Sequence, residues 1–89
     1  AGRFGEAVPP LERAVRIREA KENGPANLGQ VHFALARALW GAGGHSARAL
    51  ELAAQARREY LGAPPTPATQ RELAEIDRFL TAHTDRRAS

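Results

Sequence analysis

The sequence predicts an all-α protein, and three observations carry that prediction. Alanine, the strongest helix former, fills 19 of the 89 positions. Only five residues are aromatic, and runs of Val, Ile and Thr of the kind strands need are missing. Apolar residues recur at steps of three and four between breaks rich in Gly and Pro. At this length there is room for one domain with a modest core.

Four helices follow from this pattern, near 6–22, 26–41, 46–61 and 67–82. In the first, Phe4, Val8, Leu11 and Val15 share a face, with Ala7, Ala14 and Ile17 beside it. Pro9 and Pro10 fit only a first helical turn, where the missing N–H costs nothing. They place the regular helix start near Val8, with Phe4 to Ala7 as a looser entry turn. Glu12 and Arg16 form a favourable (i, i+4) pair worth about 0.3 kcal/mol.

Residues 23–27 break the pattern. Either Gly24 takes a left-handed cap and Pro25 opens the second helix, or Asn27 is the N-cap with Gln30 three residues on. The second helix is apolar on two sides. Leu28, Val31, Leu35 and Ala38 form one stripe; Phe33, Ala36 and Trp40 form the other. Such a helix belongs between neighbours. Gly41, Gly43 and Gly44 then make a corner, and Ser46 is the expected cap of the third helix. Ala49, Ala53, Ala56 and Tyr60 line that helix, small residues against which an aromatic-bearing helix can pack closely. Arg57 and Arg58 suit the negative end of its dipole. Gly62 to Pro65 stop it, and Thr66-Pro67 restarts the chain as a cap with proline at the first helical position. Leu73, Ile76 and Leu80, with Phe79 alongside, form the apolar side of the last helix, and residues 84–89 are expected to fray. Phe33, Trp40, Ala49, Ala53 and Leu73 should be mostly buried.

The chain repeats itself at an offset of 42. Gly2, Phe4, Ala7, Val8, Leu11 and Ala14 correspond to Gly44, Ser46, Ala49, Leu50, Ala53 and Ala56. Phe33, Ala36 and Trp40 on one helix, Gly44 at the corner, and Ala49, Ala53 and Ala56 on the next occupy repeat positions that resemble those of the tetratricopeptide repeat family. The resemblance covers roughly residues 2–61. Three departures stand out: Arg37 stands where the family has glycine, Ser46 where it has an aromatic, and the period exceeds the usual one of about 34. The longer period is similar to the extended repeats of kinesin-light-chain-type proteins.

The resemblance implies antiparallel helix hairpins stacked as a right-handed superhelix. Residues 1–22 would be the second helix of a truncated repeat, 23–61 a complete helix pair, and 62–83 a closing helix. It also implies a protein–protein interaction scaffold. The absence of methionine, even at position 1, suggests a piece of a longer protein. A second, looser resemblance is to the C-terminal repeat regions of large bacterial serine/threonine kinases. No kinase signature lies in this chain itself, which is not expected to be an enzyme.

The candidate interaction surface comprises Phe4, Val8, Leu11 and Val15 on the first helix and Val31, Ala34, Leu35 and Ala38 on the second. Tetratricopeptide proteins that grip a C-terminal carboxylate use Lys, Arg and Asn where Val31, Ala34, Leu35 and Ala38 stand here. The groove should therefore be apolar and suit an amphipathic helix or another repeat. A weak homodimer through residues 4–17 follows if the first helix leaves an apolar patch.

The chemistry-bearing residues are sparse. Cysteine is absent, which excludes disulfides and thiolate metal sites. His32, His45 and His83 are too scattered for a metal-ligand spacing and read as surface or capping residues, so no cofactor or metal is expected. The charge is +3, nearly all from arginine, with Lys21 the only lysine. Arg13, Arg16, Arg86 and Arg87 allow an alternative reading as an arginine-rich module for nucleic acid or an anionic ligand; interleaved acids favour a solvated face. No apolar run approaches a membrane span and no signal peptide opens the chain, so a cytoplasmic setting is expected.

Overall fold

The computed structural model describes residues 2–21, 24–43 and 46–88, with side chains from Gly5 to His83. The described residues form four helices: α1 (Gly2–Ala20), α2 (Pro25–Ala42), α3 (Ser46–Leu61) and α4 (Pro67–Ala88). The described residues contain no strand. The all-α expectation holds.

The boundaries show which local signals prevailed. Pro25 opens α2, but Gly24 before it is extended (φ −64°, ψ 162°), not left-handed. Gly43 ends α2 at φ 84°, where a side chain would be strained, and its N–H reaches the carbonyls of Leu39 and Trp40. Thr66 caps α4 as expected: its Oγ1 accepts the Thr69 N–H at 3.1 Å, with Pro67 as first helical residue. Ser46 is the first residue of α3, while Gly44 and His45 lie outside the described residues.

Two boundaries differ from expectation. α1 begins at Gly2 and carries Pro9 and Pro10 inside it, so there is no looser entry turn. An interior proline costs about 3 kcal/mol through a lost bond and a ring clash. Here both rings face solvent, and half-buried Val8 and Leu11 on either side of them dock the helix onto its neighbours. α4 continues to Ala88, past the end expected at 82, because no Gly or Pro interrupts residues 68–88.

Successive helices run antiparallel, each packed on the next. Ala26 and Tyr60, from the start of α2 and the end of α3, share one apolar cluster; Leu39 and Ala49, from the opposite ends, share another. Arg57 of α3 meets Asp77 of α4 at 2.7 Å. α2 is central, as its two apolar stripes predict. Val31 and Leu35 of the first stripe, joined by Leu39, which belongs to neither stripe, pack with Val15 of α1 and Ala49 of α3, and Trp40 of the second stripe packs against this cluster. Phe33 and Ala36 of the second stripe pack with Ala53, Ala56 and Tyr60 of α3 and Ile76 of α4. Leu52 touches both clusters.

Gly29 allows α2 and α3 to close up at one end. A Cβ built there would lie 2.8 Å from two ring carbons of Tyr60 and 3.3 Å from the Ala56 carbonyl oxygen. Phe33, Ala49 and Ala53 are buried as expected, whereas Trp40 and Leu73 are half-buried. Trp40 sits at the margin because the core beside it is filled by Leu35 and Leu39, both 1% exposed.

Candidate functional site

Two features of the surface and interior have functional character, one on each side of α2. The first is polar. His32 lies one residue after Val31 and one before Phe33 on a helix that is buried on two sides, so its ring is carried inward and is 1% exposed. The expectation of a surface or capping role for His32 is thereby corrected. Its Nδ1 stands 2.6 Å from a Glu59 carboxylate oxygen on α3, and its Nε2 stands 2.9 Å from Glu19 on α1. Carboxylates only accept, so a ring that satisfies both must donate from both nitrogens, as imidazolium does. Burial alone would lower the His32 pKa, but the hydrogen bonds and charges of Glu59 and Glu19 outweigh it and raise the value above 6.5.

Glu19 and His32 of this triad line a cleft of about 260 Å³ that also takes in Glu12 and Arg16 of α1 and Arg48 and Gln55 of α3. Arg48 donates to Glu12 at 3.2 Å across it. The two carboxylates meet opposite edges of the same ring and so do not converge on one point. Among the described residues no group of three or more His, Asp or Glu could hold a metal ion. The triad also lacks an adjacent nucleophile: Gln55 is the polar neutral residue of the cleft, and no Ser or Thr lines it.

The second feature is aromatic and joins α2 to α4. The Phe33 and Phe79 rings meet edge to face at 5.6 Å. Trp40 meets Phe79 at 6.0 Å and stacks on His83 at 3.8 Å. The exposed guanidinium of Arg37 lies 5.6 Å over the Phe33 ring, within reach of a cation–π contact. Trp40, Phe79 and His83 are half-buried, so this stack reaches the surface. His83 too departs from the expected surface or capping role, since it stacks between Trp40 and Phe79.

A wider cleft of about 460 Å³ lies where α2 and α4 begin and α3 ends, lined by Asn27, Gln30, Tyr60, Thr66, Arg71 and Glu72 among others. Burial, and then the nearby Glu72 and Glu59 carboxylates, raise the Tyr60 pKa above 10.0. The phenol therefore stays protonated across the ordinary range and donates to Glu72.

The expected interaction surface is largely interior. Val15, Val31, Leu35 and Ala38 are 9% exposed or less, and Val8, Leu11 and Ala34 are half-buried. No open apolar groove runs along Val31, Ala34, Leu35 and Ala38, because α1 itself covers that stripe. The patch expected on residues 4–17 is correspondingly reduced, with Ile17 as its exposed large apolar residue at 47%. The side chain of Phe4 lies outside the described residues. Of the repeat positions, Ala36, Ala49, Ala53 and Ala56 are fully buried, and Arg37 points to solvent.

Glu19, Glu59, Phe79 with His83, and Gly29 belong to these sites without being expected there from the sequence. One signal was present. His32 stands in register with Leu28, Leu35 and Leu39 at steps of three and four, so a titratable residue interrupts an apolar stripe. No protein-family model, curated protein or solved structure matches the chain.

Proposed function

We propose that this chain is a protein–protein interaction scaffold built from tetratricopeptide-like helix hairpins, part of a larger protein, and that it holds its partner on the face shared by α2 and α4. The observation that carries this reading is the aromatic stack with its arginine. Trp40 and Phe79 reach the surface half-buried, and exposed Arg37 covers Phe33. Trp, Tyr and Arg dominate the energetics of protein interfaces because they bring large area at modest entropic cost. An apolar peptide or helix carrying an acidic residue toward Arg37 fits this face. The order of packing, with α2 between α1 and α3 and touching α4, supports the hairpin-repeat assignment. The lack of any triad with a nucleophile or metal-ligating geometry in the 260 Å³ cleft offers no support for a catalytic reading.

The test is a selection of binders from a random helical-peptide library against the intact chain. Selected peptides are expected to shift the fluorescence of Trp40, the only tryptophan, and to bind at least about tenfold more weakly to Arg37→Ala. Peptides that bind Arg37→Ala and wild type equally would place the interface elsewhere. A single-stranded oligonucleotide that binds with a steep loss of affinity on adding salt would instead favour the arginine-rich, anion-binding alternative. Arg48, Arg57 and Arg78 speak against that alternative, since each already pairs with a carboxylate within 3.2 Å.

A further inference from the structure

α1 is attached to the rest of the molecule in an uneven way. Its apolar contacts, from Val8, Leu11, Ala14 and Val15, end at Val15, somewhat more than one turn before its last residue Ala20. Beyond them Ile17 faces outward at 47% exposure. The last turns of α1 are tied down by polar contacts instead. Arg18 reaches the Asn27 carbonyl at 3.3 Å and Gln30 at 3.2 Å, both in exposed positions where such bonds contribute little. Glu19 reaches the buried His32 ring. That contact differs in kind, because one partner is removed from water and a bond from a charged donor there is worth more than one at the surface.

We infer that Glu19, His32 and Glu59 form a proton-operated clasp, which holds the end of α1 on the α2–α3 hairpin while His32 is charged and lets it go when His32 is neutral. This goes beyond the scaffold reading and does not rest on it. A neutral imidazole has one N–H and one lone pair, so it serves only one of two carboxylates. Glu59 is the nearer, at 2.6 Å, and the more buried, with 17% of its side chain exposed against 49% for Glu19. Losing a donor costs the more buried acceptor more, so the remaining proton stays on Nδ1 and Glu59 keeps its bond. The Nε2 lone pair then faces a Glu19 oxygen with no proton between them. Glu19 is half in water and turns outward, and the last turns of α1 loosen with it.

The surroundings permit this. The other charged groups around the ring are Glu12 and Arg16 on α1 and Arg48 on α3, and the cleft of about 260 Å³ between those helices gives the freed carboxylate room. Arg48 is engaged by Glu12 at 3.2 Å, so it stays with that partner when Glu19 departs. The net raising of the His32 pKa sets the release above 6.5. The apolar contacts of Val8 to Val15 remain, so release is local to the end of α1.

Amide hydrogen exchange on the full chain, corrected for the intrinsic pH dependence, tests the clasp. Between about pH 6 and about pH 9 the protection of residues 16–20 should fall roughly tenfold or more while α2 and α3 amides hold theirs. Glu19→Gln should abolish that fall, because a glutamine amide donates to the Nε2 lone pair of the neutral ring. The ring nitrogens of His32, followed by nuclear magnetic resonance, should show the remaining proton on Nδ1 at the higher pH. Equal losses of protection in all helices, no loss in α1, the same loss in Glu19→Gln as in wild type, or a proton on Nε2 would each overturn the proposal. Should Glu19→Gln fail to fold, the wild-type comparison of α1 with α2 and the ring nitrogen shifts decide it alone.

Discussion

The two sides of α2 are sealed by different chemistry. Toward α1 the packed residues are aliphatic and small, Val15, Val31, Leu35, Leu39 and Ala49, and a charged triad lies beside them. Toward α4 the seal is aromatic, with Phe33, Tyr60 and Phe79 around Ile76 and three alanines, and with Trp40 meeting Phe79 while it also packs against the aliphatic cluster. Aromatic rings bury more area per residue and stack with one another, so the α4 side holds by dispersion and burial. The α1 side combines an aliphatic contact with a bond that depends on one proton. One small domain thus carries, on opposite sides of its α2–α3 hairpin, a helix sealed by aromatic burial and a helix whose end depends on a proton.

Removing the centre of the aromatic side should have the largest effect. Ile76→Ala deletes a side chain with no exposed surface and should cost about 3 kcal/mol in urea unfolding. A loss below about 1 kcal/mol would show that α4 is loosely docked and that the contrast is false.

Gly29→Ala should cost about 1–2 kcal/mol, since the added methyl meets the buried Tyr60 ring at 2.8 Å and overpacking outweighs the gain in helix propensity. In a Tyr60→Ala background the same change should turn neutral or stabilising. A double-mutant cycle that shows no coupling would mean the two helices separate easily at that end.

Trp40→Ala should cost about 2 kcal/mol, less than for a fully buried tryptophan, because the ring is half-exposed and stacked on His83. A loss as large as about 4 kcal/mol in thermal or urea unfolding would place Trp40 in the core after all.

The pH effect is smaller and belongs to the α1 side. Folding raises the His32 pKa above 6.5, so the folded chain holds that proton more tightly than the unfolded one. The stabilisation is complete below 6.5 and is lost as pH rises through the raised value. Urea midpoints should therefore fall between about pH 6 and about pH 9 in wild type, and His32→Gln should remove that component. Smallest of all is Arg57→Ala. It breaks an exposed pair with Asp77 at 2.7 Å and should change stability by less than about 0.5 kcal/mol.

The helices, their order and the central place of α2 were legible in the sequence. Alanine content, two apolar stripes on one segment, and Thr66-Pro67 are local or periodic signals, and they act wherever the chain is. The Thr66 cap held, as its bond from the Thr69 N–H shows, whereas Ser46 is the first helical residue of α3 and not its cap, and Gly24 is extended and not left-handed. Pro9 and Pro10 misled because their cost is local, whereas the docking of Val8 and Leu11 onto α2 and α3 is tertiary.

Only the tertiary structure decided which stripe of α2 is covered by what. Val31 and Leu35 read equally well as groove or as core, and α1 settled the matter by lying on them. It likewise brought Glu19 and Glu59, 13 and 27 residues from His32, to opposite edges of one ring. Spacings within a helix report which residues share a face. They carry no information on which face of a distant helix will meet it, because that depends on packing volume summed over all four helices at once.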